Sequence, residues 1–249
     1  MVTAVFPAAG SGKRMQAGMN KVFLELAGRP ILVHTLLQFS RSQKVDYLVV
    51  VVAKEEVSYI QKMLKLVPGL KPLTVVAGGS ERQYSIYNGL KAAPEETDIF
   101  LVHDAARPLV SLATIEGVVD GAVEIGGAIA AVPEKNTIKV VSEDGLVQST
   151  PPRAALWEVQ TPQGFRKDIL LRANVEAEAE GFLGTDDSSL VERLGVPVKV
   201  VRSDYRNIKV TTPEDLVIAE ALLREEHGGI LGLAKEAAKK TAQHLKHKL

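Results

Sequence analysis

Residues 3–21 read TAVFPAAGSGKRMQAGMNK, and this stretch decides how the rest of the chain is interpreted. Its first residues are apolar and predict a short strand, which ends at Pro7 in a loop of small residues and glycines. Glycines let backbone N–H groups approach a ligand closely, and consecutive N–H groups form a concave anion site. The cations Lys13, Arg14 and Lys21 follow in the same stretch. Backbone donors and fixed positive charge together predict a site for the phosphates of a nucleotide.

Two well-known phosphate loops do not match this stretch. A Walker A loop needs Gly-x4-Gly-Lys-Ser/Thr, but Pro7 occupies the first glycine position and Arg14 replaces the hydroxyl residue. The dinucleotide fingerprint Gly-x-Gly-x-x-Gly fails at Met15. An ordinary tight turn between a strand and a helix would also contain glycines, so the glycines alone do not decide the question. The flanking cations favour the phosphate site.

Composition restricts the class of protein. The chain has 249 residues, 46% of them hydrophobic, which is enough for one domain with a sizeable core. Its 30 basic and 30 acidic residues cancel, so no global field attracts a nucleic acid or a membrane surface. The lack of cysteine excludes disulfides, thiolate zinc sites and a cysteine nucleophile. No secretory signal or membrane span is recognisable, so we expect a cytoplasmic protein with no nucleic-acid or membrane partner.

Strand and helix patterns alternate on the C-terminal side of the loop. Strands are predicted at residues 46–53, 73–77, 98–102 and 127–132, and helices at 30–40, 55–66, 81–92 and 111–125. This alternation indicates right-handed βαβ units, an α/β fold and a mainly parallel sheet. Ligands of such sheets bind beyond the carboxyl ends of the strands. Polar clusters at residues 10–21, 78–85 and 103–107 follow three of these strands, so we expect them to form one active site.

The pattern changes at Glu134. Residues 135–141 and 146–149 predict two short strands, and the intervening Asp144-Gly145 is a hairpin signal. A hairpin of this size has little core of its own and is marginal alone. We therefore interpret residues of about 134–160 as an inserted β-arm, called the arm below, that packs on another surface. A second subunit is the natural candidate.

The C-terminal part returns to the alternating pattern. Helices are predicted at residues 166–180, 186–194 and 213–226, with a strand at 198–201. A helical tail of about residues 228–249 ends the chain, which we interpret as a single domain spanning residues 1–249. The tail is interpreted as a solvated helix, with dimer packing or contact with an anionic surface as alternatives.

Asp104, in the segment LVHDAARP, ends a buried apolar strand, where a charge needs a partner. A carboxylate at this end of a strand faces the phosphate loop. This suits Mg²⁺, which takes one or two carboxylates together with substrate phosphates. An ion pair with Arg107 is the alternative interpretation. We interpret His103 as a packed or hydrogen-bonded neighbour and not as a catalytic base.

Three further residues are candidates that the sequence alone leaves open. Lys209 lies between an apolar strand and a capped helix and, taken alone, is typical of a surface lysine. Arg153 and Thr161 could bind a second phosphate, because arginine binds phosphate through two parallel hydrogen bonds. Thr161 could equally be a turn residue.

The motifs AAGSGKRM with NK, GGSERQYS, HDAARP, TPPRAALWEVQTPQ and NIKVTTPEDL occur in this order. Together they resemble the 2-C-methyl-D-erythritol 4-phosphate cytidylyltransferase family from the first strand to about Leu223. Many sugar-nucleotide pyrophosphorylases share the first motif, whereas HDAARP, TPQ and IKVT are more specific. The resemblance implies a Rossmann-like nucleotidyltransferase domain with a mainly parallel twisted sheet. It also implies a homodimer in which the arm contributes to the partner's site.

The reaction that the resemblance implies is attack by a phosphate oxygen of 2-C-methyl-D-erythritol 4-phosphate on the α-phosphorus of CTP. The products are 4-diphosphocytidyl-2-C-methyl-D-erythritol and pyrophosphate, in the non-mevalonate isoprenoid pathway. The attacking phosphate is already an anion, so catalysis needs alignment and charge neutralisation and no protein nucleophile. The rival interpretations are a ribitol-5-phosphate cytidylyltransferase and a non-catalytic nucleotide-binding protein on the same fold.

The resemblance also implies roles for individual residues. The residues expected to stabilise the reacting phosphorus are Arg14, Lys21 and Lys209, and the residue expected near Mg²⁺ is Asp104. The expected nucleotide contacts are Ala8, Ala9, Gly10, Gly12, Gly79, Ser85, Asp104 and Ala105. The expected contacts to the erythritol phosphate are Arg107, Thr137, Arg153, Thr161 and Thr185, of which Thr137 and Arg153 lie on the arm.

Overall fold

The computed structural model describes residues 1–10 and 20–225. The strands of this part are β1 (Val2–Pro7), β2 (Glu25–Leu26), β3 (Arg29–Pro30), β4 (Tyr47–Val52), β5 (Leu73–Ala77), β6 (Ile99–Val102), β7 (Gly127–Pro133), β8 (Val140–Val141), β9 (Val147–Ser149), β10 (Trp157–Arg166) and β11 (Lys199–Arg202). The helices are α1 (Ile31–Arg41), α2 (Val57–Lys65), α3 (Arg82–Lys91), α4 (Leu112–Ile125), α5 (Lys167–Ala179), α6 (Asp187–Arg193) and α7, residues 213–225. No helix of the described ranges is long and apolar enough to cross a membrane.

The main sheet has seven strands in the order β11-β7-β10-β6-β1-β4-β5. Strand β10 runs antiparallel to its neighbours β6 and β7, and the other pairs are parallel. The α/β class and the mainly parallel sheet predicted from the sequence are confirmed. Parallel neighbours require crossover connections, and the helices between the strands supply them.

Strand β10 is the strand of the main sheet that the sequence pattern does not predict. Its centre, Gln160-Thr161-Pro162-Gln163, combines polar residues with a proline, which is typical of a turn. The structure instead contains a cis peptide bond between Thr161 and Pro162 inside the strand, and the pairing with β7 shifts register there. Pairing with a buried strand on each side therefore overrides the local preference. As a result, polar side chains lie in the middle of the sheet.

Helices cover both faces of the sheet. Side chains of α1, α2 and α4 pack on one face, and those of α3, α5 and α6 pack on the other. This arrangement explains the continuous apolar run of β4, which is buried over nearly its whole length. A smaller apolar cluster of Leu26, Ile31, Leu109, Val210, Ala219 and Leu223 lies beneath α7 and anchors the segment that leads to it.

The arm leaves the sheet between β7 and β10. Its strands β8 and β9 form a separate two-stranded sheet and are shorter than the predicted strands at 135–141 and 146–149. From Trp157 onward the predicted arm segment belongs to β10. Between β7 and β10, the exposed large apolar side chains of the arm are Ile138, Val140, Val141, Leu146 and Val147. The predicted tail at 228–249 lies outside the described residues.

Candidate active site

The polar segments after β1, β5 and β6 meet at one edge of the sheet. The backbone N–H groups of Ala8, Gly78 and His103 donate to carbonyls of the neighbouring strands at 2.7, 2.8 and 2.9 Å. The parallel pairing therefore continues one residue beyond each strand. The three segments are consequently held side by side, as the pattern of strands and polar clusters predicts.

A cleft of about 410 Å³ opens at this edge, a volume within the range of small-molecule sites. The predicted site residues that line it are Ala8, Ala9, Gly10, Lys21, Gly79, Ser85, Asp104, Ala105 and Lys209. These residues come from four separate segments of the sequence. The predicted residues Gly12 and Arg14 lie outside the described residues.

The paired glycines after β5 permit a close approach between two loops. A Cβ atom on Gly78 would lie 2.8 Å from the Cβ of Ala9 and 2.8 Å from the Oγ of Ser85. The backbone N–H of Gly79 donates to the same Ser85 Oγ at 3.0 Å. Ser85, predicted as a nucleotide neighbour, therefore fixes the backbone of Gly79 at the rim of the cleft.

Asn20 lines the cleft, and its side chain connects the end of β1 to the segment that contains Lys21. Its Nδ2 donates a short hydrogen bond to the carbonyl of Ala8, and its Oδ1 accepts from the N–H of Val22 at 3.4 Å. The second bond caps the short 3₁₀ turn Lys21–Phe23. Asn20 thereby places Lys21 beside the end of β1. The motif NK contains Asn20, but the sequence interpretation gives a role to the lysine alone.

Asp104 is the centre of a charge cluster at the base of the cleft. Its Oδ2 lies 2.9 Å from the Nζ of Lys209 and 3.3 Å from the Nε of Arg107, and its Oδ1 lies 3.9 Å from Arg82. Burial alone would raise the pKa of the Asp104 carboxyl, but Lys209, Arg82 and Arg107 hold this pKa well below its usual range. Asp104 is therefore a carboxylate at neutral pH, and it positions the Lys209 ammonium in the cleft.

His103 is a buried structural residue, which confirms the sequence interpretation. Its ring packs on Phe39 and is fully buried. Its Nδ1 accepts from the hydroxyl of Thr161 at 3.0 Å, and its Nε2 donates to the carbonyl of Arg107 at 3.1 Å. This pattern assigns the neutral tautomer protonated on Nε2. Burial lowers the pKa of His103 to about 3, so the ring stays neutral at physiological pH.

Thr161 and Arg107 lie behind the cleft and not in its lining. The Thr161 Oγ accepts from the backbone N–H of Asp104 at 3.0 Å, while Arg107 Nη1 donates to the carbonyl of Asn207 at 2.6 Å. Both residues are buried. Thr161 belongs to strand β10 and not to a turn, and the ion pair between Arg107 and Asp104 is formed. Their contacts in this chain hold Asp104 in place.

Arg82 is a cleft residue that the sequence interpretation missed. Its Nη2 lies 3.0 Å from the Oδ2 of Asp187, a buried residue of α6. Burial raises the pKa of the Asp187 carboxyl, and the nearby Arg82 guanidinium partly offsets this effect. The available signal was a cation three positions after the glycine pair, at the start of α3.

Thr185 lies on the exposed loop between α5 and α6 and is not among the described residues that line the cleft. The side chain of Gln83 holds this loop. Its Oε1 accepts from the N–H of Gly184 at 3.0 Å, and its Nε2 donates to the carbonyl of Phe182 at 3.1 Å. The loop is therefore attached to the start of α3, next to the cleft.

Thr137 and Arg153 are both exposed on the arm. Arg153 Nη1 donates to the carbonyl of Lys135 at 3.0 Å, which joins the two sides of the arm near its base. Neither residue is part of the cleft lining formed by the described residues. Within one chain, the structure does not bring these two predicted residues to the cleft.

Asp104 is the residue that could hold a metal ion. The described residues contain no group of three or more His, Cys, Asp or Glu side chains arranged to bind a metal. The Oδ1 of Asp104 lies beyond hydrogen-bonding distance of Arg82, the cation that faces it. A single carboxylate oxygen fits Mg²⁺, which completes its coordination with substrate phosphates and water.

Comparison with known proteins places the chain in one family. The family model for 2-C-methyl-D-erythritol 4-phosphate cytidylyltransferase (IspD) matches residues 2–225. The cytidylyltransferase of that name from Geotalea uraniireducens is 51% identical over 226 residues, which cover 90% of this chain and 97% of the relative. The relative of the same name from Bacillus licheniformis is 49% identical over 222 residues, with 89% and 95% coverage.

Solved structures agree with this result. The crystal structure of 4-diphosphocytidyl-2C-methyl-D-erythritol synthase from Anaerococcus prevotii superposes with a TM-score of 0.81 at 33% sequence identity. The match covers 90% of this chain and 96% of that structure. The chain is therefore an enzyme that belongs to the 2-C-methyl-D-erythritol 4-phosphate cytidylyltransferase family.

Proposed function

We propose that the cleft at the carboxyl edge of the sheet is where this enzyme carries out the reaction of its family. That reaction is cytidylyl transfer from CTP to 2-C-methyl-D-erythritol 4-phosphate in the isoprenoid pathway. The single observation that carries the proposal is the convergence of Lys21, Asp104 and Lys209 on one cleft next to a glycine-rich rim.

The chemistry is a direct displacement at the α-phosphorus of CTP. An oxygen of the erythritol phosphate forms a bond to this phosphorus, and the bond to the bridging oxygen of the β-phosphate breaks. Pyrophosphate leaves with that oxygen and its electron pair. The acceptor phosphate is an anion at neutral pH, so no protein base has to remove a proton. The protein must align two anions and neutralise the charge that develops between them.

The rim of the cleft binds the nucleotide in this proposal. Ala8, Ala9 and Gly10 follow β1, and Gly79 follows β5, so backbone N–H and carbonyl groups of both loops are available to the base and the phosphates. Ser85 fixes the Gly79 backbone, and Ala105 lines the opposite side. Backbone groups suit cytosine selection because they present donors and acceptors at fixed positions. Gly12 is assigned to the same role by its motif.

The transfer itself depends on cations around the α-phosphorus. Lys21 and Lys209 reach the cleft from opposite ends of the sequence, and Arg14 is assigned to the same group by its motif. Lys209 is held by Asp104 before any substrate binds, so its charge needs little reorganisation during the reaction. Preorganised charge of this kind stabilises a transition state more effectively than mobile charge does.

Mg²⁺ is proposed as the cofactor, with the Asp104 carboxylate as its protein ligand. When bound, the ion would neutralise part of the triphosphate charge. The low pKa of Asp104 keeps the carboxylate available over the physiological pH range. The support is the chemistry of this donor, one carboxylate beside a phosphate-binding loop.

The erythritol phosphate is proposed to bind between the cleft and an arm. Arg107 and Thr161 act from behind Asp104, and Thr185 lies on the loop attached to α3. Thr137 and Arg153 are exposed on the arm of their own chain. We therefore assign these two residues to the site of a second subunit in a homodimer. The exposed apolar side chains of the arm support this assignment, because such a surface is typical of an interface.

Pyrophosphate release tests the function directly. The full-length enzyme is incubated with CTP and Mg²⁺, and 2-C-methyl-D-erythritol 4-phosphate and ribitol 5-phosphate are compared as acceptors. We expect turnover with the erythritol phosphate alone. Turnover with ribitol phosphate alone would keep the fold and the chemistry but reject the substrate. No turnover with either acceptor, while CTP still binds, would favour a non-catalytic nucleotide-binding protein.

A cytoplasmic location is proposed because CTP is available there, and cell fractionation would test it.

A further inference from the structure

Asn207 is a buried residue two positions before Lys209, and it does not line the cleft formed by the described residues. Its side chain is 1% exposed. A buried amide in a loop needs hydrogen-bond partners, because unpaired polar groups are costly away from water. The partners of Asn207 are therefore informative about its role.

The side chain of Asn207 joins the loop before α7 to the centre of β10. Its Nδ2 donates to the Oε1 of Gln160 at 2.9 Å and to the carbonyl of Thr161 at 2.8 Å. Two acceptors identify the group as the NH₂ of the amide, because an amide oxygen cannot donate to a carbonyl. The two bonds meet β10 at its cis peptide bond between Thr161 and Pro162.

The backbone of Asn207 makes a third connection. Its carbonyl accepts from Nη1 of Arg107 at 2.6 Å. Arg107 in turn contacts the Asp104 carboxylate through Nε at 3.3 Å. Three residues later, the N–H of Val210 donates to the carbonyl of Ala106 at 2.9 Å, so the same loop is fastened to the β6 segment on both sides of Lys209.

Two partners of Asn207, Thr161 and Arg107, contact Asp104, and so does Lys209 of the same loop. Thr161 accepts from the backbone N–H of Asp104, Arg107 contacts its carboxylate, and Lys209 pairs with the same carboxylate at 2.9 Å. Asn207 bonds directly to Thr161 and Arg107, and it lies two positions before Lys209 in the sequence. Loss of its two N–H donors would weaken the attachment of the Lys209 loop to β10, to which Gln160 Nε2 also contributes by donating to the carbonyl of Asp204 at 3.3 Å.

We propose that Asn207 is a positioning residue for cytidylyl transfer, and that it fixes the Lys209 ammonium opposite the Asp104 carboxylate. This inference rests on the proposed function of the cleft. Asn207 does not touch substrate in this account. It acts through the distance between Lys209 and the α-phosphorus, a distance on which the rate depends steeply.

Asn207→Asp is the sharpest test, because it keeps the shape of the side chain and removes both donors. A carboxylate would then face two acceptor oxygens. We expect kcat to fall by about 10²-fold, as a misplaced catalytic group would cause. We expect the dissociation constant of CTP, measured by calorimetry, to stay within about threefold, since nucleotide binding depends mainly on the rim loops.

Asn174 provides a matched control. It is also 1% exposed, its Nδ2 donates to the carbonyl of Leu170 at 2.9 Å, and its Oδ1 has no hydrogen-bond partner, as is true of Asn207. Asn174 lies in α5, away from the cleft lining. Asn174→Asp should lower the melting temperature about as much as Asn207→Asp and leave kcat within about twofold of the parent.

Gln160→Met is a milder second variant if Asn207→Asp fails to fold. It removes the Oε1 acceptor of Asn207 and the Nε2 donor to the carbonyl of Asp204, and it leaves the bond from Asn207 to Thr161. We expect a several-fold fall in kcat. The proposal is overturned if the folded Asn207→Asp or Gln160→Met variant keeps the kcat of the parent. It is also overturned if Asn174→Asp loses as much kcat as Asn207→Asp.

The parent enzyme separates failure of this inference from failure of the proposed function. If the parent uses a different polyol phosphate, the substrate is reassigned, and the same variants test Asn207 with that acceptor. If the parent turns over no acceptor, both the function and the inference are overturned.

Discussion

The base of the cleft and the arm are built in opposite ways, although the resemblance assigns residues of both to one reaction. Asp104 is 8% exposed and contacts cations from three different segments. In the arm, strands β8 and β9 have two and three residues, and Leu146 is 68% exposed. The base of the cleft is stabilised within the chain, whereas the arm presents its apolar side chains to the outside.

This difference separates two kinds of functional residue. At the base of the cleft, side chains are held by neighbours before substrate binds, so in the proposed mechanism a substitution should change the rate of the chemical step. On the arm, side chains are exposed and need another surface to complete their contacts. Substitutions there should change acceptor binding or association, and should change the stability of the fold little.

The largest expected effect is in the cleft. Lys209→Ala removes a cation that we propose to stabilise the transition state, and we expect kcat to fall by about 10³-fold. CTP affinity should weaken only modestly, because this contact is made mainly in the transition state. Steady-state kinetics with calorimetry measures both quantities. Lys199→Ala is the control, since Lys199 is an exposed lysine of β11 that pairs with Glu124. An unchanged kcat in Lys209→Ala would contradict the expectation that the base of the cleft, unlike the arm, determines the rate of the chemical step.

The next effect concerns the stability of the cleft as a function of pH. The pKa of His103 is about 3 in the folded chain, whereas an unperturbed histidine has a pKa of 6.5. Between these values the unfolded chain binds a proton on this residue that the folded chain does not, so the contribution of neutral His103 to stability is complete above pH 6.5 and decreases as the pH falls. We expect His103 to account for a loss of about 2 kcal/mol in the free energy of unfolding between about pH 7.5 and about pH 5.

Urea unfolding at these two pH values measures this loss. In His103→Gln the contribution should disappear, because glutamine does not titrate. If the free energy of unfolding had the same pH dependence in His103→Gln and in the parent, the stability of the fold would not depend on a neutral buried imidazole at position 103.

A smaller effect is expected on the arm. Arg153→Ala should raise the KM for the erythritol phosphate about tenfold, because it would remove the proposed charged contact to a phosphate. The KM for CTP and the free energy of unfolding should change little, since Arg153 is exposed. Arg202→Ala, an exposed arginine of β11, is the control. A defect confined to CTP would contradict the assignment of Arg153 to the acceptor.

The smallest effect on the fold is expected for Leu146→Glu. A charge at this exposed position should change the free energy of unfolding by less than about 0.5 kcal/mol. It should nevertheless shift sedimentation from dimer to monomer, because the charge would enter the proposed interface. Leu66→Glu is the control, since Leu66 is 84% exposed and distant from the arm in sequence. A dimer that persists in Leu146→Glu, or a parent that is monomeric, would contradict the proposed homodimer.

The sequence predicts those parts of the molecule that depend on local patterns. Strand β5 occupies residues 73–77 as predicted, because an apolar run there ends at a glycine pair. The start of α4 is also as predicted, since Ser111 caps it by accepting from the N–H of Thr114 at 3.2 Å. The cluster of Asp104 with the glycine-rich loops follows from the rule that ligands bind at the carboxyl ends of parallel strands.

Other features depend on partners that are distant in the sequence. Arg82 bonds Asp187 across 105 positions, and Asn207 bonds Thr161 across 46. No local pattern indicates such pairs. Strand β10 was missed for the same reason, because a segment with a central proline becomes a strand only when β6 and β7 lie on both sides of it.

The stereochemical course at the α-phosphorus tests the central claim most directly. That claim is a single displacement in a cleft that aligns two anions and contributes no nucleophile. CTP with a chiral α-thiophosphate is incubated with the enzyme and 2-C-methyl-D-erythritol 4-phosphate, and the configuration of the product is determined by ³¹P NMR. Inversion is the predicted result, because one in-line attack inverts the phosphorus. Retention would indicate two successive displacements through a covalent enzyme intermediate and would contradict the account.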